Sequence, residues 1–381
     1  MDTNDFLGSF AQENVSFSTQ VVRTASVGDN FWTPMIFVEK DRFVDATVAG
    51  WEDAPGLSSC RVLVVTADTY AQFTTGLLAS WLYDLFCNGF TGNCILVAPN
   101  AKVTTPAAGD AFKTAMDAAY DVLKPYGYHK TVCAGGDSAV YPAYAVALAT
   151  KCAEDTYLSG APLLPVVGTN PNLSTDPLYS ALKTANKDAF MSWHSDSTHN
   201  AALYSLGLAL AVINGSSTSV GNGMDMTASS NITASNGGVN PTLAQKNTLK
   251  PAFVQYFKTV GDNTGNVAAE TDKTILGKVY SAYWILAYIT YMTKVRVAQM
   301  ITQRNFFKNA MNYAAIVSTM EEIIARFVDG GMLTELNISA PAYADLPEAA
   351  DDEIVIPNAW SATYVNHLRK VTITGTLYIG S

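Results

Sequence analysis

The chain has 381 residues, of which 49% are apolar and only 15% are charged. An ordinary soluble domain carries about 25% charged residues, so we expect copies of this chain or other partners to cover much of its surface. The net charge of −10 argues against nucleic acid as the main partner, because phosphate binding requires a basic face, and the 16 Phe, 19 Tyr and 6 Trp residues exclude disorder for most of the chain.

Residues 1–22 contain one short alternating run that is typical of a β-strand. Val15, Phe17, Thr19 and Val21 share one face of the predicted strand, and small polar residues occupy the other. A segment of this length cannot hold a core alone. We therefore predict an N-terminal arm, and its acidic opening is unlike a signal peptide.

The region from 61 to 184 alternates between apolar runs and segments with helical spacing. Together with a β-rich run over 31–38, this alternation predicts an α/β fold with helices packed on a sheet. The predicted strands are Arg61–Val65, Cys94–Val97 and Lys130–Cys133, and the predicted helices span 71–86, 110–123 and 140–151.

The second half of the chain adds longer helices. An apolar helix is predicted over Ala201–Ile213, and the nearly uncharged, Ser/Thr/Asn-rich stretch 214–238 then indicates a surface loop. A short helix begins near Thr242, and strands follow at Phe253–Phe257 and near Val267. These elements continue the α/β pattern.

Two helices and one strand are predicted in the last hundred residues. A long helix spans Ile275–Gln303, and a strongly periodic helix spans Ala310–Val328 and ends at Gly330–Gly331. The apolar stretch Val279–Thr293 is shorter than the roughly 18–20 residues that a membrane span needs, so we predict a buried helix and no membrane insertion.

The final strand prediction rests on a clean alternation at the C-terminus. Val371, Ile373, Leu377 and Ile379 share one face of this strand, and threonine and tyrosine side chains occupy the other. We treat residues 361–381 as a C-terminal arm that contains this strand.

One motif has the form of a catalytic turn. Gly135–Ala139, with Ser138 near its centre, lies between a predicted strand and a predicted helix, which is the setting of a nucleophile elbow. A triad would then need an aspartate and a histidine such as Asp196 with His199, or His367. The alternative interpretation is that Asp137 or Ser138 caps the helix that follows.

Other candidate sites have the wrong spacing. His194 and His199 are five residues apart, whereas two metal ligands on one helix face are four apart. The five cysteines contain no C-x-x-C pair, so we read them as small buried apolar side chains. No catalytic, cofactor-binding or metal-binding residues are predicted from these patterns.

A strand pattern at each end of the chain favours strand addition to the sheet of another subunit. Nine residues span about 30 Å. About six main-chain hydrogen bonds, at roughly 1 kcal/mol each, would join two subunits by several kcal/mol.

The chain from about Asp188 to its end resembles contractile phage tail sheath proteins in the order and spacing of short motifs. These motifs are the helix region Trp193–Leu210, Gly237–Leu243 before a helix, Phe253–Phe257 with Gly261–Asp262 and Thr274–Gly277 before the long helix, Phe327–Leu333 with Pro341, and the closing strand Arg369–Tyr378. A weaker resemblance to the same family covers Leu85–Phe90 and Cys94–Val97 upstream.

This resemblance implies a structural subunit with no enzymatic activity and no cofactor. Sheath subunits form stacked six-fold rings around a tail tube and contract to drive the tube through the host envelope. Their partners are further copies of the subunit, the tail tube protein, and baseplate and tail-terminator proteins. The expected location is the virion tail, assembled in the bacterial cytoplasm. The alternative function is a serine hydrolase that uses Ser138.

The resemblance also implies a domain organisation. Residues 23–60 and 185–360 would form an inner, tube-facing domain of helices on a mixed sheet. Residues 61–184 would form an inserted outer α/β domain, and the arms 1–22 and 361–381 would link neighbouring subunits through their apolar strand faces.

Overall fold

The computed structural model describes most of the chain between residues 33 and 365. The described residues are 33–38, 50–99 without 55 and 88, 114, 115, 117–119, 122, 128–133, 141–154, 161–166, 171–213 without 197, 241–259, 267–303 without 272, 306–349, and 353–365 without 358. Both predicted arm strands and the 214–238 segment lie outside these residues.

Among the described residues, nine strands form one mixed sheet, and two more form a separate small sheet. In chain order they are β1 (Thr33–Phe37), β2 (Glu52–Ala54), β3 (Leu57–Thr66), β4 (Asn93–Pro99), β5 (Tyr128–Cys133), β6 (Leu163–Pro165), β7 (Phe190–Trp193), β8 (Gln255–Thr259), β9 (Val267–Glu270), β10 (Leu333–Ile338) and β11 (Trp360–Tyr364).

Seven α-helices are assigned among the described residues. They are α1 (Gly76–Phe86), α2 (Tyr141–Glu154), α3 (Pro177–Thr184), α4 (Ala201–Ile213), α5 (Leu243–Leu249), α6 (Tyr280–Gln303) and α7 (Ala310–Asp329). Residues 114, 115, 117–119 and 122, within the predicted helix 110–123, are also helical.

The large sheet has the order β2-β3-β4-β1-β5-β6-β7-β8-β9. Its six central strands, β4 to β8 with β1 between β4 and β5, are parallel, and the strands at both margins are antiparallel. The chain therefore reverses its direction of winding around β1, as in doubly wound α/β folds. The predicted α/β fold class is confirmed.

The strand sequences explain why the large sheet lies between two layers of helices. In β4, Cys94 and Leu96 face one core while Ile95 and Val97 face the other, because side chains alternate across a strand. Helices α1, α4, α6 and α7 cover the first face, and α2, α3 and α5 cover the second. Parallel strands buried on both faces require the continuous apolar runs that the sequence shows.

Several predicted elements agree closely with the structure. The helix predicted over Ala201–Ile213 is α4, and the helix predicted over Ala310–Val328 is α7. Asn309 caps the start of α7, and its side-chain oxygen accepts a hydrogen bond from the N–H of Asn312 at 2.9 Å. Gly331 ends this helix with a φ of 71°, which favours glycine.

The sheet includes strands from both predicted domains. β4, β5 and β6 fall within 61–184, whereas β1, β7, β8 and β9 fall within the predicted inner domain, and all are hydrogen-bonded in one sheet. The assignment of inner and outer positions to these ranges stays a prediction.

Candidate functional site

The small β10–β11 sheet contains the start of the predicted C-terminal arm 361–381, because β11 spans Trp360–Tyr364 and pairs with β10 of the same chain. The strands are antiparallel, with Leu333 opposite Tyr364 and Ile338 opposite Trp360. The N–H of Val365 extends the ladder by donating to the carbonyl of Met332 at 2.9 Å. The chain therefore leaves this sheet directly into residues 366–381.

The two faces of this sheet differ in polarity. Apolar side chains on one face pack against the core under α7, namely those of Leu336, Ile338, Trp360, Ala362 and Tyr364. Exposed polar residues of both strands occupy the other face. Packing against a helix gives a two-stranded sheet the support that it lacks in water.

A bulge interrupts β10. The register shifts between Thr334 and Asn337, so that Glu335 and Leu336 stand opposite the single residue Ala362 of β11. Glu335 has a φ of 54°, in the left-handed region that non-glycine residues adopt at a cost of about 1–3 kcal/mol. Its carboxylate accepts a hydrogen bond of 2.7 Å from the hydroxyl of Thr363 across the ladder.

The eight residues predicted to form the apolar faces of the two arm strands fall at the two ends of the chain, beyond the part that the structure describes. Val15, Phe17, Thr19 and Val21 at the front lie outside the described residues. The same holds for the four at the back, Val371, Ile373, Leu377 and Ile379. Their role in subunit contacts stays a prediction.

A buried acid joins α1 to the start of α4. The carboxylate of Asp84 accepts a hydrogen bond of 2.8 Å from Nδ1 of His199 and one of 2.7 Å from the N–H of Asn200. The Asp84 side chain is fully buried, and the His199 side chain is 26% exposed. Asn200 in turn caps α4, because its side-chain oxygen accepts from the N–H groups of Ala202 and Leu203.

The electrostatics of this pair follow from its burial. Burial raises the pKa of Asp84, and the hydrogen bond from His199 acts in the opposite direction. The hydrogen bond to Asp84 raises the pKa of His199 above its ordinary value. The start of α4 also favours a negative charge, because the unpaired N–H groups of a helix point toward it.

The Asp84–His199 hydrogen bond takes the place of the Asp196–His199 hydrogen bond that a Ser138 triad would need. Ser138 and His367 lie outside the described residues. The side chain of Asp196 accepts from the N–H and the hydroxyl of Thr198, whereas Nδ1 of His199 contacts Asp84. A triad that uses an Asp196–His199 hydrogen bond is therefore not formed. The sequence signal for Asp84 was its position as the single charge in α1.

A second buried acid anchors the turn before α6. The Asp188 carboxylate accepts from the hydroxyl of Thr274 at 2.9 Å, the N–H of Leu276 at 3.2 Å and the hydroxyl of Tyr283 at 3.2 Å. The N–H of Ile275 also donates to the carbonyl of Ala189 at 2.9 Å. These contacts hold the turn against the start of β7, which is a structural role.

The described part of the chain contains no group of three or more His, Cys, Asp or Glu side chains that could hold a metal ion. None of its helices is long and apolar enough to cross a membrane. Cys60, Cys94 and Cys152 are buried, as predicted, whereas Cys87 is only half-buried, and none of these four described cysteines forms a disulfide. Burial raises the pKa of Cys60 to about 12, which disfavours the reactive thiolate.

The geometry thus defines a doubly wound α/β protein with an appended two-stranded sheet. No family model and no curated protein matches the sequence. Among solved structures, a chain of the anti-feeding prophage baseplate, determined by cryo-EM with six-fold symmetry, has a similar fold. The TM-score is 0.56 at 12% identity, and the match covers 96% of this chain and 98% of that chain.

Proposed function

We propose that the chain is a structural subunit of a phage-tail-like contractile particle, and specifically a sheath subunit. In this role it polymerises as stacked six-fold rings around a tail tube and contracts to drive the tube through a host envelope. The observation that carries the proposal is the likeness, over 96% of this chain, to a chain of a six-fold symmetric baseplate. Contraction of this kind repacks subunits as rigid bodies and needs no catalytic group.

The β10–β11 sheet supplies a place for strand addition. Each of these strands has only the other as a ladder partner among the described residues, so each presents an edge with N–H and C=O groups. An arm strand of a neighbouring subunit would extend the ladder and cover this edge. A sheet of three or more strands is also more stable than one of two.

The predicted arms have the sequence that such an edge requires. The apolar faces of residues 15–21 and 371–379 would continue the apolar face that Trp360 and Tyr364 turn toward the core. The nine residues of the C-terminal strand span about 30 Å. The proposal therefore links copies of the chain through backbone ladders, with the tail tube, baseplate and terminator proteins as further partners.

Negative-stain electron microscopy of the concentrated protein tests this proposal. The wild-type chain should form hollow cylinders with a regular repeat, alone or on its purified tail tube. Ile373→Asp places a charge on the apolar face of the arm strand and should abolish the cylinders. The matched control, Thr374→Asp, places the same charge one residue later on the polar face and should leave assembly intact.

Two outcomes would contradict the proposal. Discrete small particles from the wild-type chain, even with the tube present, would refute a sheath. Cylinders formed equally by the wild type and by both variants would retain the sheath but refute strand addition through residues 371–379. Circular dichroism of each variant establishes that the subunit itself is folded.

A further inference from the structure

Asp84 and His199 connect two helices that are far apart in sequence. Asp84 lies on α1 near its end, and His199 immediately precedes the cap of α4. One buried carboxylate accepts from the imidazole of His199 and from the backbone of Asn200 at the same time. The relative position of α1 and α4 therefore depends on this carboxylate as well as on apolar packing.

A second imidazole lies against the first. The rings of His194 and His199 meet edge to face with their centroids 5.1 Å apart. Nδ1 of the buried His194 accepts a hydrogen bond of 3.1 Å from the N–H of Asp196 and lies 3.3 Å from the carbonyl oxygen of the same residue. The cluster of Asp84, His194 and His199 thus contains one imidazole, that of His199, which donates to the carboxylate, and one, that of His194, which accepts from the backbone.

Few other titratable groups face the pair. The connection between β7 and α4 contributes Asp196 and His194. The end of α1 contributes Tyr83 and Cys87. Helix α4 contributes no charged side chain. After burial itself, the Asp84 charge is among the causes that raise the pKa of Cys87 to about 12. Histidine is therefore the residue type in this cluster whose ordinary pKa lies between pH 5 and pH 8.

We propose that Asp84 and His199 form a pH-sensitive latch that fixes α1 to the start of α4. When His199 is protonated, it donates a charged hydrogen bond to the buried carboxylate and neutralises it. When His199 loses this charge, the carboxylate is left in an apolar site with neutral donors only, and the contact between the helices loosens. The latch is independent of the proposed sheath function.

The direction of the effect follows from proton linkage. The pKa of His199 is raised in the folded chain. Its stabilising contribution is therefore fully present below the pKa of an unfolded histidine, and it is lost as the pH rises through the folded pKa. The pKa of Asp84 is also raised, so both groups favour proton binding by the folded state.

Amide hydrogen exchange of the full chain tests the latch. The protection factor, which is corrected for intrinsic exchange, would be followed from pH 5.5 to pH 8.5 for segments 76–87 and 198–206. In the wild type it should fall with rising pH by about threefold or more. In Asp84→Asn, which keeps an acceptor oxygen and removes the negative charge, the pH dependence should disappear, because the carboxyl no longer titrates and no longer raises the pKa of His199. Segment 310–329 of α7 serves as an internal reference and should show no such trend.

Two results would overturn the latch. One is a wild-type protection factor that does not change with pH in either segment. The other is a pH dependence that Asp84→Asn retains. His199→Asn, whose side-chain nitrogen stands near the position of Nδ1 without a charge, removes only the imidazole and leaves the Asp84 carboxyl to titrate, so its protection should fall over a different pH range from that of the wild type. If Asp84→Asn does not fold, an unchanged pH range in His199→Asn overturns the latch instead.

Discussion

The contact between α1 and α4 has no room for a side chain at Gly207. A Cβ atom built at this position would lie 2.0 Å from the carbonyl oxygen of Leu85 and 2.8 Å from its carbonyl carbon. Both atoms belong to the backbone of α1, so no rotamer change can relieve the overlap. Gly207→Ala therefore forces the two helices apart.

The size of the effect follows from the distance. An ordinary contact requires at least 3.4 Å, so the helices must separate by about 1.4 Å along this line. The separation weakens the packing of Leu82 and Leu206 and stretches the Asp84–His199 contact. Overpacking costs about 1–3 kcal/mol and occasionally more, and alanine recovers about 1 kcal/mol of helix propensity. Because the obstacle is backbone, we expect a cost at the upper end of this range, about 3 kcal/mol, and a net loss of about 2 kcal/mol in the free energy of unfolding.

Urea denaturation with circular dichroism detection measures this loss. Gly89→Ala is the matched control, because it adds the same methyl group just beyond α1 at a site with no atom within 4 Å. Its φ of 85° makes alanine cost about 1 kcal/mol through the backbone alone. The reasoning is refuted if Gly207→Ala loses no more stability than Gly89→Ala.

Two further predictions concern the anchoring role of the buried acid Asp188 before β7 and the backbone strain at the bulge in β10. Asp188→Ala leaves several hydrogen-bond donors without their acceptor and should lower the free energy of unfolding by about 2–4 kcal/mol. The control Asp345→Ala, at an exposed position, should change the free energy of unfolding by less than about 0.5 kcal/mol. Equal effects of the two in urea denaturation would contradict the anchoring role. At the bulge, Glu335→Gly removes the strain of the left-handed backbone conformation, whereas Glu335→Ala retains it. Both variants lose the hydrogen bond from Thr363. The glycine variant should therefore be more stable than the alanine variant by about 1 kcal/mol. A thermal melt in which the alanine variant is the more stable would show that Glu335 is unstrained.

Local sequence patterns predicted the elements that have a clear period or a strong terminus. β4 is a continuous apolar run that ends at a proline, and α7 combines a helical stripe with an asparagine cap and two closing glycines. Such signals are read within one element. They also identified the α/β class, because strands and helices alternate.

The elements that were not predicted have no such period. β6 has only three residues, and β7 is buried at all four positions, so neither shows an alternating pattern. No strand was predicted at Phe190–Trp193, and the structure places β7 inside the sheet between β6 and β8. Tertiary packing, which the local sequence does not encode, decides these cases.

The buried pair illustrates the same limit for the site. Asp84 and His199 are separated by 115 residues, and nothing near either residue identifies the other as its partner. The sequence therefore suggested the nearby Asp196 for His199, which was wrong. Only the close approach of α1 to α4, allowed by Gly207, brings the acid to the histidine.

The position of the β10–β11 sheet determines how the subunit would bear a mechanical load. The end of α7 and the start of residues 366–381 meet at the same end of the ladder, where Leu333 faces Tyr364. A pull on the C-terminal segment away from α7 therefore opens the ladder one hydrogen bond at a time, beginning with that between Val365 and Met332. Each such bond resists weakly by itself. The resistance to peeling comes instead from Trp360 and Tyr364, whose rings must leave the core before β11 can detach.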